Sequence, residues 1–319
     1  MSSDIENLAK QTENLSIEPI YNTNWCDMPA EIKVECIGKM ELIERLSLRS
    51  TAKDERSLVD SQTIKFRKGE FRGNAYCFDA SLYSENGYEL SKNLTDSSNE
   101  AFEFVRYIWK VGVFENLKIS FYGTAYTRKM KKYTGEIKAK NVELHYGDIL
   151  ILPMIVQKLN DGIESIMTYP DSRGAPNLDF NKLFAIPQIQ NVPYWHIGNC
   201  DQTESLHRVA KMWIDRNSKV GCTFQIYIFA DGSFKEFLEH FTERIVSKNE
   251  KRARIRTNNP DRHIILERGL IEIVDDLVEI PQFFRLMVIS VEMKESEYDD
   301  NCEKWISKIC PEYREENNI

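Results

Sequence analysis

The strongest constraint on this chain is a spacing. Six short runs with strand character recur through its middle: LKISFYG (117–123), NVELHYG (141–147), IESIMTY (163–169), YWHIG (194–198), TFQIYIF (223–229) and RARIRT (252–257). Their centres, near 119, 143, 166, 196, 226 and 254, lie 24, 23, 30, 30 and 28 residues apart. Leu117, Ile119 and Phe121 alternate with other residues, as do Val142, Leu144 and Tyr146, the period of a strand with one buried face. Helical patterns fall between the runs. GDILILPMIVQKLNDG carries an apolar face that ends at a glycine. Leu206, Val209, Ala210, Trp213 and Ile214 share one side of the next pattern, and Phe234, Phe237, Leu238, Phe241 and Ile245 share one side of another, with Ser233 as its cap. A strand followed by a helix at this period predicts an α/β chain of mainly parallel strands joined by right-handed crossovers, a strand–helix solenoid of leucine-rich-repeat-like architecture. The leucine and asparagine consensus of that class is absent, so the match is to architecture alone, and a doubly wound sheet is the competing arrangement.

Around this repeat the pattern changes. Residues 1 to about 20 are polar and aperiodic and read as a flexible tail. FRKGEFRGNAYCFDASLYSENGYELS, from Phe66, is rich in Gly, Tyr and Phe and reads as loops. A helix is predicted from Asn99 to Val111, with Phe102, Val105, Ile108 and Trp109 inward. RHIILERG and RLMVISVEMKE are expected to pair antiparallel and close the sheet edge. The strand–helix domain is thus placed at 64–293, followed over 294–319 by a capping helix, about Asp299 to Ile309, and a tail.

Bulk properties exclude some classes of function. The net charge of −8 and pI of about 5.4 argue against a nucleic-acid binder. The longest apolar run, Ile149 to Val156, falls short of the roughly 20 residues of a membrane span. MSSDIENLAKQTENLS has no basic start followed by an apolar stretch, so no secretory leader is expected. Seven cysteines, at 26, 36, 77, 200, 222, 302 and 310, form no CxxC pair and read as reduced thiols. A cytoplasmic or nuclear protein follows, with nothing to separate the two.

Candidate chemistry is sparse. His196, Cys200 and His207 lie near one another in sequence, but one sits in a strand and another in a helix, and no fourth ligand has zinc-site spacing. Cys222 has no histidine placed as a base. No GxGxxG, GxxxxGK[ST], GxSxG or HExxH occurs. The acidic pairs Asp275-Asp276 and Asp299-Asp300 read as solvated. No catalytic residue, cofactor or metal is expected, and the chain is read as a non-enzyme. Two basic clusters remain, RKMKK (128–132) and the segment 248–262. In the second, Arg252, Arg254 and Arg256 alternate with Ala253 and Ile255. Such a face is either a solvated guard against edge pairing or a surface for an acidic partner. Tyr227 falls opposite Phe224, Ile226 and Ile228 on its strand. Tyr227, Arg252, Arg254 and Arg256 are therefore expected on neighbouring strands of an exposed face, binding an acidic or phosphorylated target.

The segment from Asn24 to Asp60 has another character. Asp27 is a candidate cap, Pro29 is tolerated in a first turn, and Glu31 suits the positive helix end. Met28, Ile32, Cys36 and Met40 recur every four residues beside Ile37. Leu42, Ile43 and Leu46 suggest a second helix, and Leu48, Ala52, Leu58 and Val59 a third. Three helices in so short a segment make a core too small to stand alone, so a partner is expected to cover part of the stripe.

DMPAEIKVECIGKMELIERLSLRSTAKDERSLVD resembles an F-box, placed at 21–63. Met28-Pro29, Glu31-Ile32, Cys36-Ile37, Met40, Leu46, Leu48-Arg49, Ala52-Lys53 and Arg56–Leu58 take the positions of that pattern. Met28 stands where Leu is more usual, and Glu55-Arg56 where a Trp is frequent. From Asn24 to Gln62 the string is similar to a large nematode group of F-box proteins, and 64–293 more loosely resembles their F-box-associated domain. The resemblance implies a substrate receptor of a Skp–cullin–F-box ubiquitin ligase. Met28, Pro29, Glu31, Ile32, Ile37, Met40, Leu46 and Leu48 would meet a Skp-type adaptor, and through it a cullin–RING ligase, while the C-terminal domain holds an unknown target protein. The alternatives are a protein-binding module of the same fold outside any ligase and, from another class, an α/β hydrolase or transferase.

Overall fold

A computed structural model of the chain describes residues 24–74, 76–85, 87–94, 99–170, 178–198, 202–228, 232–269 and 282–298. The chain divides into two units between Gln62 and Thr63.

In the first unit a 3-10 turn (Trp25–Asp27) precedes α1 (Ala30–Lys39), α2 (Leu42–Arg49) and α3 (Lys53–Asp60). Pro29, with its fixed φ, leads into α1. Asp27, expected to cap that helix, instead ends the 3-10 turn, whose own cap is Asn24, accepting from the Cys26 amide at 3.3 Å. Glu41 and Glu44 form a capping box that starts α2. The carbonyl end of α1 is closed by a cation from α2: Arg45 donates to the oxygens of Gly38 (2.8 Å) and Met40 (3.0 Å). Arg49 pairs with Asp60 at 2.6 Å and Lys33 with Glu55 at 3.8 Å, so ion pairs tie α3 to both other helices. Among the described residues of the unit, the buried apolar ones are Ile37, Leu42 and Val59, a small interior for three helices.

Among its described residues the second unit is one mixed sheet of twelve strands in the order β3-β2-β1-β4-β5-β6-β7-β8-β12-β11-β10-β9. The strands are β1 (Ile64–Gly73), β2 (Phe78–Ser84), β3 (Gly87–Leu94), β4 (Gly112–Phe121), β5 (Lys138–Tyr146), β6 (Ser165–Pro170), β7 (Tyr194–Ile197), β8 (Thr223–Ile228), β9 (Ile245–Lys248), β10 (Arg252–Arg256), β11 (Arg262–Gly269) and β12 (Gln282–Ser290). The central block β1-β4-β5-β6-β7-β8 is parallel throughout. Nine strands point one way, the six of the block together with β3, β9 and β11, against β2, β10 and β12. The helices between them are α4 (Asn99–Val111), α5 (Thr124–Lys132), α6 (Ile151–Val156), α7 (Phe180–Phe184), α8 (Pro187–Asn191), α9 (Ser205–Arg216) and α10 (Ser233–His240).

Strand order and connection hand together decide where the helices lie. The block adds strands in one direction, without the reversal that defines a doubly wound sheet. Right-handed crossovers then put successive helices on the same face. Aromatic contacts mark it: Trp109 of α4 packs on Phe71 and Phe121 at 5.7 and 6.2 Å, Tyr126 of α5 stacks on Phe121 at 4.4 Å, and Phe184 meets Trp195 at 6.1 Å.

Two expectations about strands are corrected. The stretch from Phe66, read as loops, forms β1, β2 and most of β3. Two of its glycines are sites of close approach: a Cβ at Gly69 would lie 2.5 Å from the Phe114 ring, and one at Gly73 would fall against the Tyr126 ring. RARIRT is not the sixth parallel strand. β10 pairs antiparallel with β9 and β11, and β12 fills the place beside β8. RHIILERG and the strand containing RLMVIS do pair antiparallel, but inside the sheet, with β9 and β3 as its outer strands. The helix expected from Asp299 to Ile309 lies outside the described residues.

Candidate functional site

On the helical unit, the predicted adaptor residues divide by exposure. Ile32 is 47% exposed, and Pro29 and Glu31 are also exposed. Met28, Met40, Leu46 and Leu48 are half-buried. Ile37 is fully buried; its place in the stripe makes it interior packing and leaves no side chain for a partner to touch. Ile43 of α2, not among the predicted contacts, is 54% exposed. A large aliphatic side chain left in water on a short amphipathic helix was its available signal.

On the sheet, the face opposite the α-helices carries a mostly polar row that follows the register from β1 to β10. It runs Glu70, Lys118, Glu143, Met167, His196, Gln225, Arg285, Glu267 and Arg252. Lys118 Nζ donates to Glu143 at 2.7 Å, and His145 Nε2 lies 2.6 Å from the same carboxylate. Burial raises the Glu143 carboxyl, but the contacts of His145 and Lys118 outweigh it and hold the group down at about 2. A second row, Asn116, Asn141 and Ser165, is joined by side-chain hydrogen bonds of 3.2 and 2.8 Å. Glu70, Arg72, Lys118, Ser120, Tyr122 and His145 line a concavity of about 370 Å³ on this face.

Rings cross the same face. His145 stacks on Tyr169 at 4.8 Å; His196 lies 5.3 Å from Tyr169 and 6.4 Å from Tyr227; Tyr227 lies 5.7 Å from Phe283. Gly198 makes room for the two tyrosines, since a Cβ there would meet Tyr169 at 2.7 Å and Tyr227 at 3.1 Å. His196, between them, is wholly buried, and burial depresses it to about 3, so it is neutral near pH 7.

The arginines expected beside Tyr227 occupy other positions. β12 and β11 separate β8 from β10, so Tyr227 and Arg254 are not on neighbouring strands. Arg254 is buried: its guanidinium donates to His263 Nδ1 (2.8 Å), the Met293 and Val291 oxygens (both 2.6 Å), Tyr298 Oη (2.8 Å) and the Ser290 oxygen (3.3 Å). It binds the turn after β12 instead of facing solvent. Arg252 reaches the fully buried Glu267 at 3.1 Å, and Arg285 reaches it from the other side at 2.7 Å. Arg256 is exposed. RKMKK lies on α5, with Met130 buried and Lys129 over the rings of Tyr126 (5.5 Å) and Phe102 (5.8 Å).

The histidines considered as metal ligands do not converge. His196 lies on the sheet face opposite the described α-helices and His207 on α9, and Cys200 is outside the described residues. His207 instead meets Glu236 and His240 of α10, with one ligand atom from each within 4.8 Å of the others. Burial first, and His240 beside it, lower His207 to about 4. Sequence reasoning missed this group because its members lie 29 and 33 residues from His207, on different helices.

Residues 25–67 match the family model of the F-box domain, so the helical unit is an F-box domain whose match runs into the start of β1. Domains of this family bind Skp-type adaptors within cullin–RING ubiquitin ligases, and the proteins that carry them are typically non-enzymatic. No curated protein is similar enough to match the chain. Among the described residues, no helix is long and apolar enough to cross a membrane.

Proposed function

We propose that this protein is the substrate-recognition subunit of a Skp–cullin–F-box ubiquitin ligase, without catalytic chemistry of its own. The observation that carries the reading is an F-box domain followed by a separate, larger α/β unit. Pro29, Glu31, Ile32, Met28, Met40, Leu46 and Leu48 form the adaptor contact, with Ile43 beside them, since apolar side chains left in water are what a partner gains by covering. The larger unit is the F-box-associated domain of the nematode group, its parallel block adding strands in one direction as a strand–helix solenoid does, and it acts in the cytoplasm or nucleus. Its target binds the sheet face opposite the α-helices, where Arg72, Lys118, His145, Tyr169 and Tyr227 offer charge, hydrogen bonds and rings to an acidic or phosphorylated segment. Arg256 extends this cationic character from β10.

The test is co-purification of the full chain with a Skp-type adaptor, beside a chain lacking residues 21–63. The reading expects the adaptor with the full chain alone. Recovery with neither chain would leave the protein as a binding module outside the ligase, and equal recovery with both would place the adaptor contact outside the F-box.

A further inference from the structure

We propose that His207, Glu236 and His240 bind one divalent transition-metal ion, Zn²⁺ by the chemistry of the donors, clamping α9 to α10. The inference is independent of the ubiquitin-ligase reading. His207 lies near the start of α9, and Glu236 and His240 are one turn apart on α10, so i and i+4 project to the same side. Glu236 Oε1 is 3.4 Å from His207 Nδ1 and 3.9 Å from His240 Nε2. A tetrahedral zinc ion, with bonds of about 2.0–2.1 Å, holds its donor atoms about 3.3–3.4 Å apart. One contact already matches that spacing. The other closes by a small turn of His240, whose side chain is half exposed.

A second observation points to a missing partner. Nδ1 of His207 is buried and has no hydrogen-bond partner among the described residues; its 3.4 Å approach to Glu236 is not aligned as a hydrogen bond. The two imidazoles stack at 3.6 Å, so the exposed His240 ring turns out of the stack to aim its nitrogen, in its own plane, at an ion shared with His207. An ion held by Glu236 and the two nitrogens would satisfy the buried nitrogen and use both imidazoles as neutral donors. Of the cations near His207 on α9, Arg208 is turned to Glu204 at 3.1 Å, and Lys211 lines the same concavity as the two histidines.

Two histidines and a glutamate leave a fourth position, as in zinc sites that keep one ligand exchangeable. His207 and His240 also line a concavity of about 540 Å³ with Phe184, Lys211 and Asp215. Water, or a donor atom from a bound protein, reaches the ion from there.

The test uses the full chain, stripped with chelator and titrated with Zn²⁺ alone and Co²⁺ alone. One equivalent is expected, with the Co²⁺ spectrum of nitrogen and oxygen ligation and no thiolate charge-transfer band. H240Q and E236Q should each weaken binding at least tenfold, and Zn²⁺ should raise the melting temperature of the wild type only. Metal-free H240Q should melt with the metal-free wild type, since His240 is exposed. Absence of stoichiometric binding, affinity unchanged in H240Q, or a thiolate band reporting Cys26, Cys36, Cys77 or Cys222 would each overturn the proposal.

Discussion

Ile32 and Ile37 lie five residues apart on α1, yet one faces water and the other does not. Their substitution separates adaptor binding from folding. Full burial of an isoleucine side chain is worth about 1.5–3 kcal/mol. Ile32 is 47% exposed, so a partner that covers the remainder gains about half of that, roughly 0.7–1.5 kcal/mol. Ile32→Asp forfeits this gain and brings a carboxylate against an apolar surface, adding at least about 1–3 kcal/mol. The sum, about 2–4 kcal/mol, predicts adaptor binding weaker by roughly 30- to 700-fold. The free chain should not suffer. Position 32 is the third residue of α1, where a negative charge favours the helix dipole by about 0.3–1 kcal/mol. Ile37→Ala, at a fully buried site, should instead cost about 2–5 kcal/mol of stability. Isothermal titration with the adaptor and thermal melting of each free variant make the comparison. Binding of Ile32→Asp within threefold of wild type, with its melting unchanged, would refute the assigned contact surface.

Three further outcomes concern the sheet. Glu267→Ala leaves Arg252 and Arg285 without the buried carboxylate they share, and should cost about 3–5 kcal/mol in urea unfolding, against a smaller loss for Glu267→Gln. Gly198→Ala sets a methyl group 2.7 Å from Tyr169; overpacking of this kind costs about 1–3 kcal/mol, and unchanged stability would show that the two rings are free to move. His196, at about 3 in the fold against 6.5 as the ordinary value, takes up its proton more readily when unfolded. Its contribution is complete above pH 6.5 and is lost as pH falls from there through 3, with a slope of about 1.4 kcal/mol per pH unit. His196→Phe should flatten this part of the stability–pH curve, and an unaltered slope would assign acid sensitivity to other groups.

The local elements were legible in the residues because their causes are local. The apolar stripe on α1 and the alternation in LKISFYG and NVELHYG follow from the 3.6- and 2-residue periods of helix and strand. Those periods, with the F-box resemblance, also sufficed to separate a helical N-terminus from a strand–helix remainder. They could not assign strand neighbours, since any extended segment presents the same hydrogen-bonding edge. β12 therefore enters beside β8 and displaces β10, although β10 is closer in sequence. Gly69 and Gly73 look like breakers until Phe114 and Tyr126 are seen lying over them. Arg254 carries the pattern of a solvated edge and becomes a buried clamp only because the turn after β12 folds back onto it. His207, Glu236 and His240 show no motif in the chain, since a cluster on two helices is defined by their packing. Periodicity fixes which way a side chain faces on its own element; only long-range register and packing decide what stands opposite it.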